Sequence, residues 1–235
     1  GSYLSRFGND ETDVDSRIES AGKAFGALRG CVFASTHINV AAKRAVYEAL
    51  ILNILLYGAE SWCVTEAMKQ RLRVFHARCV RAMCRVSRKH TWAHRISTSR
   101  LEQRLGVDSI DTYLYRRQLR WLGHVSRMDY TQRLPRRMLS SWVPHPRPCG
   151  APPMTYGRSM MQALDAFHIH RRDWPNLAAD RAAWRETLQL GHPPGWQPSP
   201  PTPPLALRRR VRAAAIVTNC NIDASLRALR APLPQ

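Results

Sequence analysis

Apolar side chains between Thr65 and Ser87 recur at steps of three and four residues. They are Met68, Leu72, Phe75, Cys79, Met83 and Val86. At 3.6 residues per turn this spacing places them along one side of an α-helix, as an apolar stripe. Thr65 is a good N-cap residue, and acidic Glu66 suits the positive end of the helix dipole. The segment predicts an amphipathic helix that buries one face in a core.

The same periodicity recurs elsewhere in the chain and predicts further helices over about 14–28, 39–57, 110–128, 158–167 and 175–190. Gly58 is expected to end the second of these, and no pair of strands is evident after residue 10. The fold class predicted is therefore all-α. We expect Trp62 and Trp121 to anchor the core; the alternative is that bases stack on them.

Two proline-rich segments, 144–153 and 193–204, interrupt the helical pattern. Proline lacks the N–H that a helix interior needs, so each segment predicts a break between helical regions. The second segment, PPGWQPSPPTPP, is expected to be an extended linker. The tail after it is expected to be partly disordered. It carries Arg208, Arg209, Arg210 and Arg212, a cluster that is a weak signal for nuclear targeting or phosphate binding.

The chain is strongly basic, with 36 Lys and Arg against 17 Asp and Glu and a net charge of +19. All but four of the basic residues are arginine. A GC-rich coding sequence would favour arginine over lysine, but it does not explain the shortage of acidic residues. Residues 41–100 alone carry twelve basic and three acidic residues. Such an excess attracts polyanions, so nucleic acid is the expected partner.

Arginines share faces on the two longest predicted helices. The residues predicted to bind nucleic acid are Arg71, Arg78, Arg81 and Arg85 on the first helix and Arg116 and Arg120 on the second, where Arg127 shares their face. A guanidinium grips phosphate bidentately, and a face selected only for solubility would mix charges of both signs. A merely solvated basic face is the alternative.

Six irregularly spaced cysteines without a preceding signal peptide predict reduced, mostly buried thiols in an intracellular protein. Four residues of types that bind zinc, Cys79, Cys84, His90 and His94, form C-x4-C-x5-H-x3-H. Cys79 belongs to the apolar stripe and the spacing is shorter than in common zinc fingers, so we expect no metal there. His124, His168 and His170 are expected to be structural. The nearly apolar run 49–57 is too short for a membrane span, so no membrane partner is expected.

Three segments resemble the region downstream of the polymerase core in non-LTR (LINE-type) retrotransposon reverse transcriptases. LYGAESW at 56–62 is similar to LLYG-x-E-x-W, and RQLRWLGHVSRM at 117–128, followed by RLP at 133–135, is similar to R-x-LRWLGHV-x-RM. The residues at 174–185 resemble W-x-x-LA-x-DR-x-x-WR. Tyr3 and Leu4 look like the start of the Tyr-Leu-Gly near the primer grip, with Ser5 in place of the glycine. The resemblance covers roughly residues 3–190.

The resemblance implies the thumb and downstream region of an RNA-directed DNA polymerase. Such enzymes hold two Mg²⁺ ions with palm carboxylates, in part from a Tyr/Phe-x-Asp-Asp turn. The sequence has no such turn, and Asp10, Asp13 and Asp15 lie at a helix start, where acidic residues are expected as caps. The resemblance therefore implies no catalytic residue in this chain, Mg²⁺ only in the missing palm, and the upstream palm and fingers as partners.

The resemblance also suggests a division of the chain. Residues 1–39 would be a remnant of the palm edge with a connecting helix, 40–140 a thumb-like helical bundle, 141–192 a smaller helical appendix, and 193–235 the linker and basic tail. The expected function is non-specific binding of an RNA or RNA–DNA duplex backbone in the nucleus by a truncated reverse transcriptase that does not itself polymerise. The alternatives are a decayed transposon fragment with no selected function and a small zinc-dependent nucleic-acid-binding module.

Overall fold

The computed structural model describes residues 10–129, 131, 133–140 and 154–191. This part of the chain is helical and contains no strand, so the predicted all-α class is confirmed. Both proline-rich segments, the basic tail and residues 3–5 lie outside the described residues.

The helices follow one another through short connections. The helices up to residue 105 are α1 (Glu11–Leu28), α2 (Val40–Val46), α3 (Leu52–Leu55), α4 (Glu66–Met83), α5 (Arg88–Ala93) and α6 (Thr98–Leu105). The later helices are α7 (Ile110–Ser126), α8 (Leu134–Ser140), α9 (Tyr156–Ala166), α10 (Trp174–Ala179) and α11 (Arg181–Leu190). A π-helical turn, Arg29–Phe33, extends α1, and another, Tyr47–Ile51, joins α2 to α3.

Local sequence sets most of the helix starts. Side-chain oxygens accept hydrogen bonds from the first turns of their helices at Asn39, Thr65, Ser87, Ser97, Ser109, Thr155 and Asp180. The cap predicted at Thr65 is thus confirmed. Gly106 and Gly191 adopt left-handed backbone angles at the ends of α6 and α11, a conformation that glycine adopts without strain. Gly58 is also left-handed, but it lies in the turn after α3 rather than at the last helical residue.

The first core lies among α1, α3, α4, α6 and the start of α7. All members of the apolar stripe are buried in it except Val86, which lies beyond the end of α4 and is only partly buried. Trp62, with an exposed fraction of 1%, is a core anchor as predicted. Burial of these large apolar side chains is the main stabilising contribution in a fold of this kind.

Acidic residues at the start of α1 tie this helix to the rest of the first core. Asp10 occupies the N-cap position but makes no capping bond; its Oδ2 accepts from the backbone N–H of Cys63 at 2.7 Å. Oδ2 of buried Asp13 accepts from Nε1 of Trp62 at 3.0 Å. These acids lie at the cap and in the first turn, where they were expected, but their carboxylates bond to residues 62–63 because that part of the chain lies against the helix start.

The second core is formed by the C-terminal half of α7 with α9, α10 and α11. It includes Leu119, Leu122, Met160, Leu164, Phe167, Trp184 and Leu188. Ile110 and Leu114 belong to the first core, so α7 takes part in both. The division at residues 39, 140 and 192 stays a prediction.

Trp121 was expected in the core, and this prediction is wrong. The inward face of α7 at this level is formed by buried Leu119, Leu122 and Gly123, and 36% of the Trp121 surface is exposed. Its ring lies near that of His124 and lines a shallow apolar groove together with Pro135 and Met138.

Candidate nucleic-acid interface

Helices α7 and α11 pack against each other through a tryptophan and a glycine. The indole Nε1 of Trp184 donates to the carbonyl oxygen of Leu119 at 3.1 Å. Gly123, one turn further along α7, has no side chain to hold the indole ring away. Beside this contact, a cleft lies between α7 and α11.

The cleft has a volume of about 530 Å³. Its lining residues are Arg116, Arg120, His124 and Arg127 from α7 and Arg181, Trp184, Arg185, Leu188 and Gln189 from α11. On each helix the lining residues lie three, four, seven, eight or eleven positions after the first of them, so each helix presents one continuous face to the cleft. No acidic residue lines this surface, which we call the arginine cleft.

Two arginines of the cleft are held in place by contacts with the fold. Arg116 forms an ion pair with Asp108 at 2.9 Å and donates from Nε to the carbonyl oxygen of Leu188 at 2.9 Å. Arg127 donates to the carbonyl oxygen of Ala178. These contacts fix the positions of two guanidinium groups that line the cleft.

Arg120, Arg181 and Arg185 are exposed and form no ion pair with any residue that the structure describes. Since no neighbouring carboxylate neutralises them, their positive charges add together in the cleft. Arg116 and Arg120 had been predicted as binding residues, and Arg127 had been placed on their face; all three line the cleft. Arg181 and Arg185 were not predicted as binding residues, although their spacing of four residues places them on the same side of α11.

A second basic surface continues from the arginine cleft along the other side of Arg116 and Arg120. It adds Arg44 and Arg117 but also the acidic residues Glu48 and Asp108. Arg117 is partly buried, and this burial lowers its pKa; its guanidinium donates to the carbonyl oxygen of Leu56 and the side chain of Asn53. This surface has mixed charge, so of these two neighbouring surfaces the cleft carries the less compensated positive charge.

The four arginines predicted along α4 do not form one free stripe. Arg71 forms an ion pair with Asp15 at 2.8 Å, and Glu11 lies 3.7 Å away, because α1 packs alongside. Arg85 follows the end of α4 with a left-handed φ of 57°, so it leaves the helix face. Arg78 is exposed, with its guanidinium over the ring of Phe75, and Arg81 lies near the end of the helix. The role of these arginines in binding stays a prediction.

The four candidate zinc ligands do not converge. Burial of Cys79 in the first core raises the pKa of its thiol to about 12, and burial also raises the pKa of the Cys84 thiol. His90 on exposed α5 and His94 directly after its end lie next to each other, with ring centroids 4.2 Å apart. Within the described ranges no three or more His, Cys, Asp or Glu side chains are grouped as they would be to hold a metal ion.

The helices of the described residues are all too short or too polar to cross a membrane.

One known protein gives an indication of origin. Over 194 residues the chain is 22% identical to an uncharacterized transposon-derived protein of Caenorhabditis elegans, an alignment that covers 80% of this chain and 68% of the relative. No protein-family model and no solved structure matches the chain. The similarity supports a transposon origin.

Proposed function

We propose that the chain corresponds to the thumb and downstream region of a non-LTR reverse transcriptase and binds the backbone of RNA or of an RNA–DNA duplex without sequence preference. The observation that carries this proposal is the arginine cleft, in which five arginines and a histidine face one space with no acidic residue among them. Phosphate is the ligand that such a set of planar donors fits best.

The dimensions of the cleft suit a run of phosphates. At a rise of 1.5 Å per residue, Arg116 and Arg127 lie about 16 Å apart along α7. On the scale of B-form DNA, in which one strand advances about 3.4 Å per nucleotide along the axis, this length corresponds to about five nucleotides. Five arginines over this distance match a contact of four to five phosphates.

The arrangement is also partly preorganised. Arg116 and Arg127 are positioned by Asp108, Leu188 and Ala178 before any ligand arrives. Side chains that are already ordered lose less conformational entropy on binding. When a ligand binds, only the side chains of Arg120, Arg181 and Arg185 still have to become ordered.

The proposed family relationship and the cleft support each other. The segment 117–128 that resembles R-x-LRWLGHV-x-RM forms most of the α7 face, and the segment 174–185 supplies Trp184 and the first arginines of α11. Two segments that resemble the same family therefore meet at one surface. A transposon-derived relative agrees with this origin.

The second candidate is a decayed transposon fragment that folds but binds nothing. The similarity to a transposon-derived protein favours this reading equally. The two candidates differ in their behaviour towards salt. Contacts with a phosphate backbone release counterions, so the binding constant at the cleft should fall as the salt concentration rises, whereas a non-binding fragment has no such dependence.

The proposal is tested by fluorescence anisotropy of the purified chain with labelled RNA–DNA duplexes of two unrelated sequences at three salt concentrations. For four to five phosphates contacted, log K should fall against log salt with a slope of about −4. The two sequences should bind alike, because phosphate contacts carry no base information. No binding at low salt, or a strong preference for one sequence, would contradict the proposal.

A further inference from the structure

Trp92 is the most exposed large apolar side chain among the described residues, with 84% of its surface accessible. It lies on the short helix α5, none of whose residues is buried in either core. Exposed indole rings are uncommon on soluble proteins, since the ring offers a large apolar area, and they are common where a ligand covers that area.

The surroundings of Trp92 are basic. It lines a shallow surface depression together with Arg81, Arg88, Thr91, Ala93, Arg95, Ile96 and Ser97. The backbone at Arg95 is left-handed, with a φ of 49°, and the N–H of Ile96 returns to the carbonyl of Thr91 at 2.9 Å. This turn ends α5, and Arg95 within it lines the same depression as Trp92.

No acidic residue lines this depression, and the sequence contains none between Glu66 and Glu102. The three arginines form no ion pair with the described residues. An aromatic ring beside several uncompensated guanidinium groups combines a stacking surface with phosphate donors. This pairing of a flat apolar ring and anion-binding groups matches an unpaired nucleotide, whose base is flat and whose backbone is negative.

We propose that Trp92, Arg81, Arg88 and Arg95 form a binding site for single-stranded nucleic acid, with the indole stacked on an unpaired base and the arginines on the flanking phosphates. A base inside a duplex is covered on both sides by its neighbours, so it is not available to Trp92. This site is built from α4, α5 and the turn that follows α5, and it shares no residue with the arginine cleft. The proposal of a single-strand site can therefore be tested independently of duplex binding at the cleft.

The proposal is tested with labelled oligouridine and oligothymidine, whose bases stack weakly on each other and remain unpaired. Trp92→Leu keeps an apolar side chain and the charge but removes the stacking ring, and it should weaken single-strand binding about tenfold with the salt slope unchanged. Trp92→Phe should restore most of the affinity. Arg88→Gln should make the slope shallower by about 0.7, the value for one phosphate of a single strand. RNA and DNA should respond alike, since neither contact reads the 2′-hydroxyl.

One control variant and two further measurements on Trp92→Leu make the result specific. Tyr57→Leu removes another exposed aromatic ring, which is 55% accessible and lies outside the depression, and should leave single-strand binding unchanged. Trp92→Leu should keep the melting temperature and the affinity for RNA–DNA duplex of the parent. If Trp92→Leu binds single strands as well as the parent does, the ring serves another contact and the proposal is overturned. An equal loss of duplex and single-strand binding, or a fall in melting temperature, would overturn it too.

Discussion

Gly123 on α7 and Trp184 on α11 approach each other so closely that no side chain fits between them. A Cβ atom at position 123 would lie 2.6 Å from Cδ1 and 2.8 Å from Cε2 of the indole ring. The φ of Gly123 is not positive, so glycine is required there by the approach of Trp184 and not by the backbone angle. This contact fixes the spacing of the two helices that carry the arginine cleft.

Gly123→Ala should therefore destabilise the protein by about 1–3 kcal/mol, because the added methyl group must displace a buried ring. Urea or thermal unfolding measures the loss. Gly26→Ala in α1 is the matched control, since a methyl group there meets no atom within 4 Å. It should stabilise the helix by about 0.5–1 kcal/mol. A Gly123→Ala variant as stable as the parent would show that α7 and α11 do not pack as described.

The bond between Trp62 and Asp13 is expected to be important for stability. Trp62→Phe keeps an aromatic ring but removes the N–H that donates to the buried Asp13 carboxylate. The loss should cost about 1–3 kcal/mol in the free energy of unfolding, since a buried acceptor loses a partner. Asp15→Ala, which removes the exposed ion pair with Arg71, should cost less than about 1 kcal/mol. Urea denaturation that gives equal losses for both variants would contradict the buried position of Asp13.

Thiol reactivity tests the placement of Cys79. The thiolate is the reactive form, and burial raises the pKa of Cys79 to about 12, so its thiol stays protonated at about pH 8. Iodoacetamide should therefore modify exposed Cys31 quickly and Cys79 only after denaturation, as read by peptide mass mapping. Raising the pH from about 7 to about 9 should leave Cys79 unmodified. Equally fast labelling of the two cysteines would place Cys79 at the surface, where a role as a zinc ligand becomes feasible.

The sequence predicted those features that depend on near neighbours in the chain. The spacing of Met68, Leu72 and Phe75 correctly identified the buried face of α4, and Thr65 its start. The ion pair of Arg71 with Asp15 was not predictable in this way, because it joins residues 56 positions apart through the packing of α1 on α4.

The candidate site depended on the same kind of long-range packing. Periodicity placed Arg116, Arg120 and Arg127 on one face of α7, but only the docking of α11 brings Arg181 and Arg185 opposite them. The prediction for Trp121 failed for the same reason. The spacing of apolar residues along α7 does not tell which side of α7 is covered by the other helices of the second core.

The arginine cleft is tested most directly by removing two of its exposed charges. Arg120→Ala combined with Arg185→Ala should weaken binding to every RNA–DNA duplex alike and make the salt slope shallower by about two, since two phosphate contacts are lost. Each of the two substitutions should change the free energy of unfolding by no more than about 0.5 kcal/mol, because both side chains are exposed. Arg29→Ala combined with Arg104→Ala removes the same charge from exposed positions that do not line the cleft.

The decisive measurement is a titration of the parent and both double variants against one RNA–DNA duplex at three salt concentrations. The cleft proposal predicts a shallower slope for Arg120→Ala/Arg185→Ala and the parental slope for Arg29→Ala/Arg104→Ala. If the two double variants bind alike, or if the cleft variant binds as tightly as the parent, the cleft is not the nucleic-acid interface.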